Sequence, residues 1–230
     1  TRKHQQHSAR VKDGRNRATS YDRSYAYKER LHDQPHAPTT IGDSQFTYDA
    51  NGNQIQRKTA NATRTLIWDE ENRLSQVDKH NLYIYDHSGQ RTVKTTQGGQ
   101  TVYVNPYYTV KNKAIFTKEI KAGNTRIAAF IQYGAPSPTA PKPKSIRFGY
   151  YYHPDHLGST GILTNETGQV QEIIEYSPFG ETLSAQGSTP QLPKYRFTSK
   201  ELDPATGLYY YGARYYDPRT SVWQSVDPII

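Results

Sequence analysis

Bulky and polar residues alternate with period two along much of this chain, and a turn signal follows each alternating run. Phe46-Thr47-Tyr48 runs into Asp49-Ala50-Asn51-Gly52-Asn53. Leu66-Ile67-Trp68 runs into Asp69-Glu70-Glu71-Asn72-Arg73, and Tyr83-Ile84-Tyr85 into Asp86-His87-Ser88-Gly89-Gln90. Side chains two apart share a strand face, so each run predicts a strand. Asn51-Gly52 and Ser88-Gly89 supply the positive φ that tight hairpins need. Asp49, Asp69 and Asp86 are placed to accept hydrogen bonds from amides just downstream, and are read as turn residues rather than metal or catalytic groups. A unit recurring at about 20 residues signals an array in which each hairpin buries its face against its neighbours. Tyr21-Asp22 reads as a decayed copy.

Downstream, Thr101–Val104, Ala114–Thr117 and Arg126–Tyr133 read as strands, with Lys121-Ala122-Gly123-Asn124 as a hairpin turn. Residues 135–144 carry four prolines and so form an exposed loop, not a central strand. Ile146–Tyr152 resumes the sheet. In the last stretch, Tyr209-Tyr210-Tyr211 and Tyr215-Tyr216 flank Gly212, which suits a strand stacked against something on both faces. Asp203-Pro204, Asp217-Pro218 and Asp227-Pro228 punctuate it with turns. The pattern predicts an all-β, antiparallel chain with helix under about a tenth of residues. Its divisions are a basic N-terminal segment (1–40), irregular or a degenerate repeat; hairpin repeats (41–133); a proline-rich loop (134–145); and a terminal module (146–230).

Hydrophobic content is 33%, low for a thick core, and 20 tyrosines must stand in for aliphatic burial. No apolar run approaches the roughly 18 residues a spanning helix needs, and the first residues lack the apolar stretch of a signal peptide. Without cysteine there are no disulfides or thiolate metal sites. The net charge of +8 owes much to the first 40 residues. Those basic residues alternate with polar and acidic ones, so a solvated surface is favoured over nucleic-acid binding.

The run Lys200 to Pro218 (K-E-L-D-P-A-T-G-L-Y-Y-Y-G-A-R-Y-Y-D-P), with W-Q-S-V-D-P (Trp223 to Pro228), Y-Y-H-P-D-H-L-G-S-T (Tyr151 to Thr160) and E-Y-S-P-F-G-E (Glu175 to Glu181), closely resembles the RHS-repeat-associated core of bacterial RHS and YD-repeat proteins. The resemblance implies a curved array of YD-repeat hairpins forming part of a hollow RHS shell, or cocoon. It implies a structural role: enclosing and delivering the C-terminal toxin domain of the same polypeptide, in a secreted or cell-surface bacterial toxin. The remaining RHS repeats, a secretion-system component and an immunity protein are the implied partners. No cofactor or metal is expected. Carbohydrate binding by exposed tyrosines is a further alternative.

His153, Asp155 and His156 look like metal ligands, but no further ligands are evident nearby to complete a site, and a hydrogen-bonding role is favoured. In many RHS proteins the core resembles an aspartyl self-cleaving element that frees the toxin, with paired carboxylates as acid and base. By resemblance, Asp227 matches its first aspartate and Arg196 its arginine, and the two are expected to lie together, the cation keeping the carboxylate ionised. The second aspartate and the scissile bond fall beyond the matched motif, so the site here is incomplete. Ser221-Val222 before the tryptophan and Ile229-Ile230 after the last Asp-Pro depart from the family pattern. There is no cysteine nucleophile, Gly-x-Ser-x-Gly or phosphate-binding loop.

Overall fold

The computed structural model describes residues 5–12, 18–27, 36–134, 147–187 and 193–228. The proline-rich stretch 135–144 lies outside the described residues, as do 1–4, 13–17 and 28–35 of the basic segment and Ile229-Ile230. Seventeen strands make one sheet. The first nine are β1 (Gln5–Lys12), β2 (Ala18–Ala26), β3 (Thr40–Ile41), β4 (Ser44–Tyr48), β5 (Gln54–Lys58), β6 (Thr63–Trp68), β7 (Leu74–Val77), β8 (Asn81–Tyr85) and β9 (Arg91–Thr96). The rest are β10 (Gly99–Asn105), β11 (Tyr108–Lys111), β12 (Ile115–Ala122), β13 (Thr125–Tyr133), β14 (Arg147–Pro154), β15 (Thr160–Asn165), β16 (Val170–Tyr176) and β17 (Thr182–Gly187). Each pairs antiparallel with the next in sequence. The sheet is not closed into a barrel. No α-helix occurs among the described residues, in line with the period-two pattern.

One turn geometry recurs along one edge. At Asp49, Asp69, Asp86 and Asp155 the carboxylate Oδ1 accepts the amides of the second and fourth residues downstream at 2.8–3.0 Å. The aspartate's own amide donates to the carbonyl of the fourth residue. The third residue takes positive φ: Gly52 at 84°, Asn72 at 58°, Gly89 at 78° and Gly158 at 84°. Ser177 builds the same turn with its hydroxyl, and Gly180 stands at φ 85°. The pairing register slips just before each of these turns, as at a β-bulge, which re-aims the residue before the turn, an aromatic one except at Pro154.

At three of these turns the aromatic residue ties its unit to the preceding one. Trp68 Nε1 donates to the Gln54 carbonyl at 2.8 Å, Tyr85 OH to that of Leu74 at 2.6 Å and Tyr176 OH to that of Thr160 at 2.9 Å. Each acceptor is the fifth residue after the preceding turn aspartate on that edge. The Tyr-Asp pair therefore does two jobs: the aspartate closes its own turn, and the aromatic ring pins the neighbouring one.

After a single 3₁₀ turn at Phe197–Ser199, the chain forms a second, four-stranded sheet: β18 (Glu201–Asp203), β19 (Leu208–Tyr210), β20 (Tyr215–Asp217) and β21 (Val222–Trp223). This lobe packs on one face of the large sheet and reaches far along it. Tyr25 OH on β2 donates to the Thr220 carbonyl at 2.7 Å. On the other side, Tyr209 OH and Tyr216 OH donate to the carbonyls of Gly180 and Phe179, in the turn between β16 and β17. The lobe thus touches both ends of the sheet and bridges the opening, and its tyrosine strands have partners on both faces as the aromatic runs predict. The apolar interior is divided into three small clusters. Leu66, Leu74, Val77 and Tyr83 meet Leu208 and Tyr215; Tyr25, Ile41 and Phe46 meet Val222; and Ala129, Tyr152 and Leu163 lie under Tyr195.

Candidate functional site

With apolar clusters this small, buried ion pairs carry much of the contact between lobe and sheet. Glu201, from the Lys-Glu-Leu-Asp-Pro motif, is 4% exposed. It accepts from Lys94 Nζ at 2.6 Å, Arg91 Nη2 at 2.8 Å and Tyr103 OH at 2.8 Å. Burial by itself would raise its carboxyl, but Lys94, Arg91 and Lys194 outweigh burial and hold it far below the usual carboxylate range. Arg91 is also sheathed in aromatic faces, 4.2 Å from the Tyr210 ring and 4.7 Å from that of Tyr103. It reaches Tyr215 OH at 3.2 Å, and burial pushes that phenol up to about 12.

The motif aspartates work the same way. Asp203 accepts from Tyr83 OH at 2.7 Å and from the Ala205 amide at 3.2 Å. Asp217 pairs with Arg57 of β5 at 3.2 Å and with Arg219 at 2.8 Å. These carboxylates close their own turns and clamp the lobe to the sheet. Sequence reasoning credited Asp203 and Asp217 with the turns alone, and did not single out Glu201, Arg91, Lys94 or Glu119. The available signal was an acidic residue in the Lys-Glu-Leu-Asp-Pro motif facing basic residues at inward positions more than 100 residues earlier, which only the assembled sheet brings together.

A second buried pair lies on β12 and β13. Glu119 is 3% exposed and meets Arg126 at 3.2 Å. Burial raises its carboxyl to about 7, with Arg126 opposing. The Arg126 guanidinium also stacks on the Tyr195 ring.

The sequence-predicted catalytic pair takes other partners. Arg196 forms a two-pronged ion pair with the buried Glu172 of β16, at 2.5 and 3.1 Å. Asp227 follows the last strand of the lobe, its side chain 75% exposed, and pairs with Arg214 at 3.0 Å. Arg214 in turn lies 4.1 Å over the Trp223 ring. The difference from the expected Arg196–Asp227 contact is one of location. Arg196 enters the lobe beside β16, where a buried carboxylate awaits it, whereas Asp227 leaves the lobe into solvent. Asp155 is a turn aspartate, and His153 Nε2 lies 3.0 Å from Thr164 Oγ1. No group of metal-ligating side chains is assembled among the described residues.

Comparison with known proteins fits this architecture. The Teneurin YD-shell family matches residues 11–229. The tRNA nuclease WapA of Bacillus subtilis (strain 168) is 28% identical over 197 residues, covering 83% of this chain and 8% of that protein. Toxin subunit YenC1 of Yersinia entomophaga is 30% identical over 210 residues, 79% of this chain and 21% of that protein. The crystal structure of TcdB2-TccC3-Cdc42 shares the fold, with a TM-score of 0.66 at 22% identity over 94% of this chain and 12% of its own. The chain thus spans a small fraction of each relative's length. It belongs to the Teneurin YD-shell family, as an RHS/YD-repeat shell protein.

Proposed function

We propose that this chain is the closing segment of a hollow β-shell, a curved wall of stitched hairpins with an inward lobe, and that the shell encloses a toxin carried C-terminally on the same polypeptide. The observation that carries this reading is the lobe itself. It folds back onto one face of the open sheet and fastens β2 to the β16–β17 turn, which gives a wall with a built-in clasp. The two curated relatives named above are a tRNA nuclease and a toxin subunit, and each is far longer than this chain. The division into hairpin repeats, proline-rich loop and terminal module, a secreted or cell-surface location, and recognition by a secretion component or an immunity protein belong to the same proposal. Aromatic rings packed between successive turns favour wall over sugar site. The test is limited proteolysis of the parent polypeptide. Its C-terminal domain should resist protease until the shell unfolds in urea. Cleavage of that domain at the same rate in the intact and the urea-opened protein would refute enclosure.

Self-cleavage at the end of the lobe is a second reading, favoured by the exposed Asp227 carboxylate beside Arg214. In a parent polypeptide that cleaves, Asp227→Asn should abolish cutting while the shell still forms, because the amide loses acid–base capacity. Arg196→Ala should slow cutting and loosen the lobe. Unchanged cleavage in Asp227→Asn would make Asp227 a turn residue only.

A further inference from the structure

On the lobe-facing side of the large sheet, buried cations crowd around Glu201. Glu201 is the carboxylate that receives Arg91 and Lys94, and both of those side chains are at most 5% exposed. Lys194 stands at the same spot, in the segment leading into the lobe, and Lys111 of β11 adds its charge. Three cations thus act on one carboxylate, and a fourth, Lys111, repels Lys194. The other acid of the cavity, Glu119, has its own cation in Arg126 and is only partly ionised at neutral pH. The strain shows at Lys194. Burial first, then repulsion from Lys94, Lys111 and Arg91, lowers its ammonium to about 8, with Glu201 opposing.

A cavity of about 130 Å³ opens at this cluster. Lys111, Lys194 and the two carboxylates Glu201 and Glu119, the latter paired with Arg126, line its charged end, and Ile115, Ile131 and Pro193 its apolar wall. Tyr133 also lines it, and the Tyr133 hydroxyl is buried with no hydrogen-bond partner among the described residues. A buried hydroxyl left without a partner costs about 1–3 kcal/mol. An excess of positive charge, an idle donor and an apolar wall describe one ligand chemistry.

We propose that this cavity is a binding site for a carboxylate on a short aliphatic stem, its oxygens held by Lys194 and Tyr133 and its methylenes against Ile115 and Ile131. The same chemistry has two sources: a free short-chain carboxylic acid, or a glutamate side chain of the enclosed polypeptide. The second source rests on the shell reading above; the site does not.

The test uses the chain as it stands. Lys194 is acetylated with a trace of activated ester at pH 8 and its labelling followed by mass spectrometry, beside the thermal midpoint. The additives are butyrate, the capped tripeptide Gly-Glu-Gly, its Gly-Gln-Gly counterpart, or inorganic phosphate. Butyrate and Gly-Glu-Gly should slow labelling of Lys194 several-fold and raise the midpoint, as a ligand specific to the native state does. Gly-Gln-Gly and phosphate should do neither. Lys194→Gln should leave the midpoint unchanged or higher without ligand, because it removes a buried charge whose desolvation and repulsion from its neighbours outweigh its attraction to Glu201, and should abolish the response to butyrate. Protection by butyrate but not by Gly-Glu-Gly would keep the site and remove the enclosed chain as its source. Protection by neither, or equally by phosphate, would overturn the proposal, as would an undiminished butyrate response in the folded Lys194→Gln variant.

Discussion

Replacing Glu201 by glutamine keeps its volume and removes its charge, leaving Lys94 and Arg91 buried without a counter-ion. The Glu201 side chain is 5% exposed and receives three donors within 2.9 Å, so none of this pairing is a solvent-screened surface contact. Breaking one side of a buried pair costs about 3–5 kcal/mol, against about 0–1 kcal/mol at a surface. In a chain of this size that range lowers the thermal midpoint by roughly 6–20 °C. The assay is urea unfolding followed by near-ultraviolet circular dichroism, where the midpoint should fall with little change in slope. Its pH dependence adds a sign. The folded carboxyl lies below its ordinary value of 4.5, so its contribution is complete above that pH and is lost as pH falls below it. The gap between wild type and Glu201→Gln should therefore be full at pH 7 and shrink toward pH 3.5. A loss under about 1 kcal/mol at pH 7 would refute the clamp, and a gap that stays constant down to pH 3.5 would refute its electrostatic basis.

Glu119 has the opposite sign. Burial raises it to about 7, so its favourable protonated form is lost as pH rises from 4.5 through 7. Wild type should lose up to about 3 kcal/mol between pH 5 and pH 8 from this group, and Glu119→Gln should flatten that slope in the same urea titration. Gly180→Ala and Gly89→Ala strike the same turn with unequal results. A Cβ at 180 would sit 2.4 Å from Phe197 Cδ1, whereas nothing lies within 4 Å at 89. Gly89→Ala should cost only the left-handed strain of about 1–2 kcal/mol, and Gly180→Ala clearly more, with loss of the near-ultraviolet signal from Tyr209. Tyr176→Phe removes one stitch and should cost about 1 kcal/mol; hydrogen exchange should speed up first around Thr160, its acceptor.

The repeating wall was largely legible in the sequence, because its determinants are local. Asp49, Asp69 and Asp86 close turns with amides two and four residues away, and the Asn-Gly and Ser-Gly pairs mark the positive φ. Ser177 escaped notice because its hydroxyl does an aspartate's work without the Tyr-Asp signature, as the chain reads Tyr176-Ser177 there. The clamps were not legible. Arg91 and Glu201 are 110 residues apart, and Arg57 and Asp217 are 160 apart, so nothing near either partner announces the other. The resemblance pointed to Arg196 as a partner of Asp227, and nothing local announced Glu172, which becomes its ion-pair partner only once β16 passes beneath the lobe.

The lobe's reach has a kinetic consequence. Every strand of the wall pairs with its immediate predecessor, so the wall is built from short-range contacts that form early and in order. The lobe's anchors run the other way: Thr220 must find Tyr25, and Arg219 must find Arg23, almost the whole length of the chain apart. Those anchors stand in place only after β2 and the turn between β20 and β21 have both been laid down. In a chain that emerges from its N-terminus, seating of the lobe then follows completion of this stretch of wall, and it serves as a checkpoint. A wall with one misregistered hairpin would present Tyr25 or Gly180 in the wrong place, and the clasp would have nothing to close on.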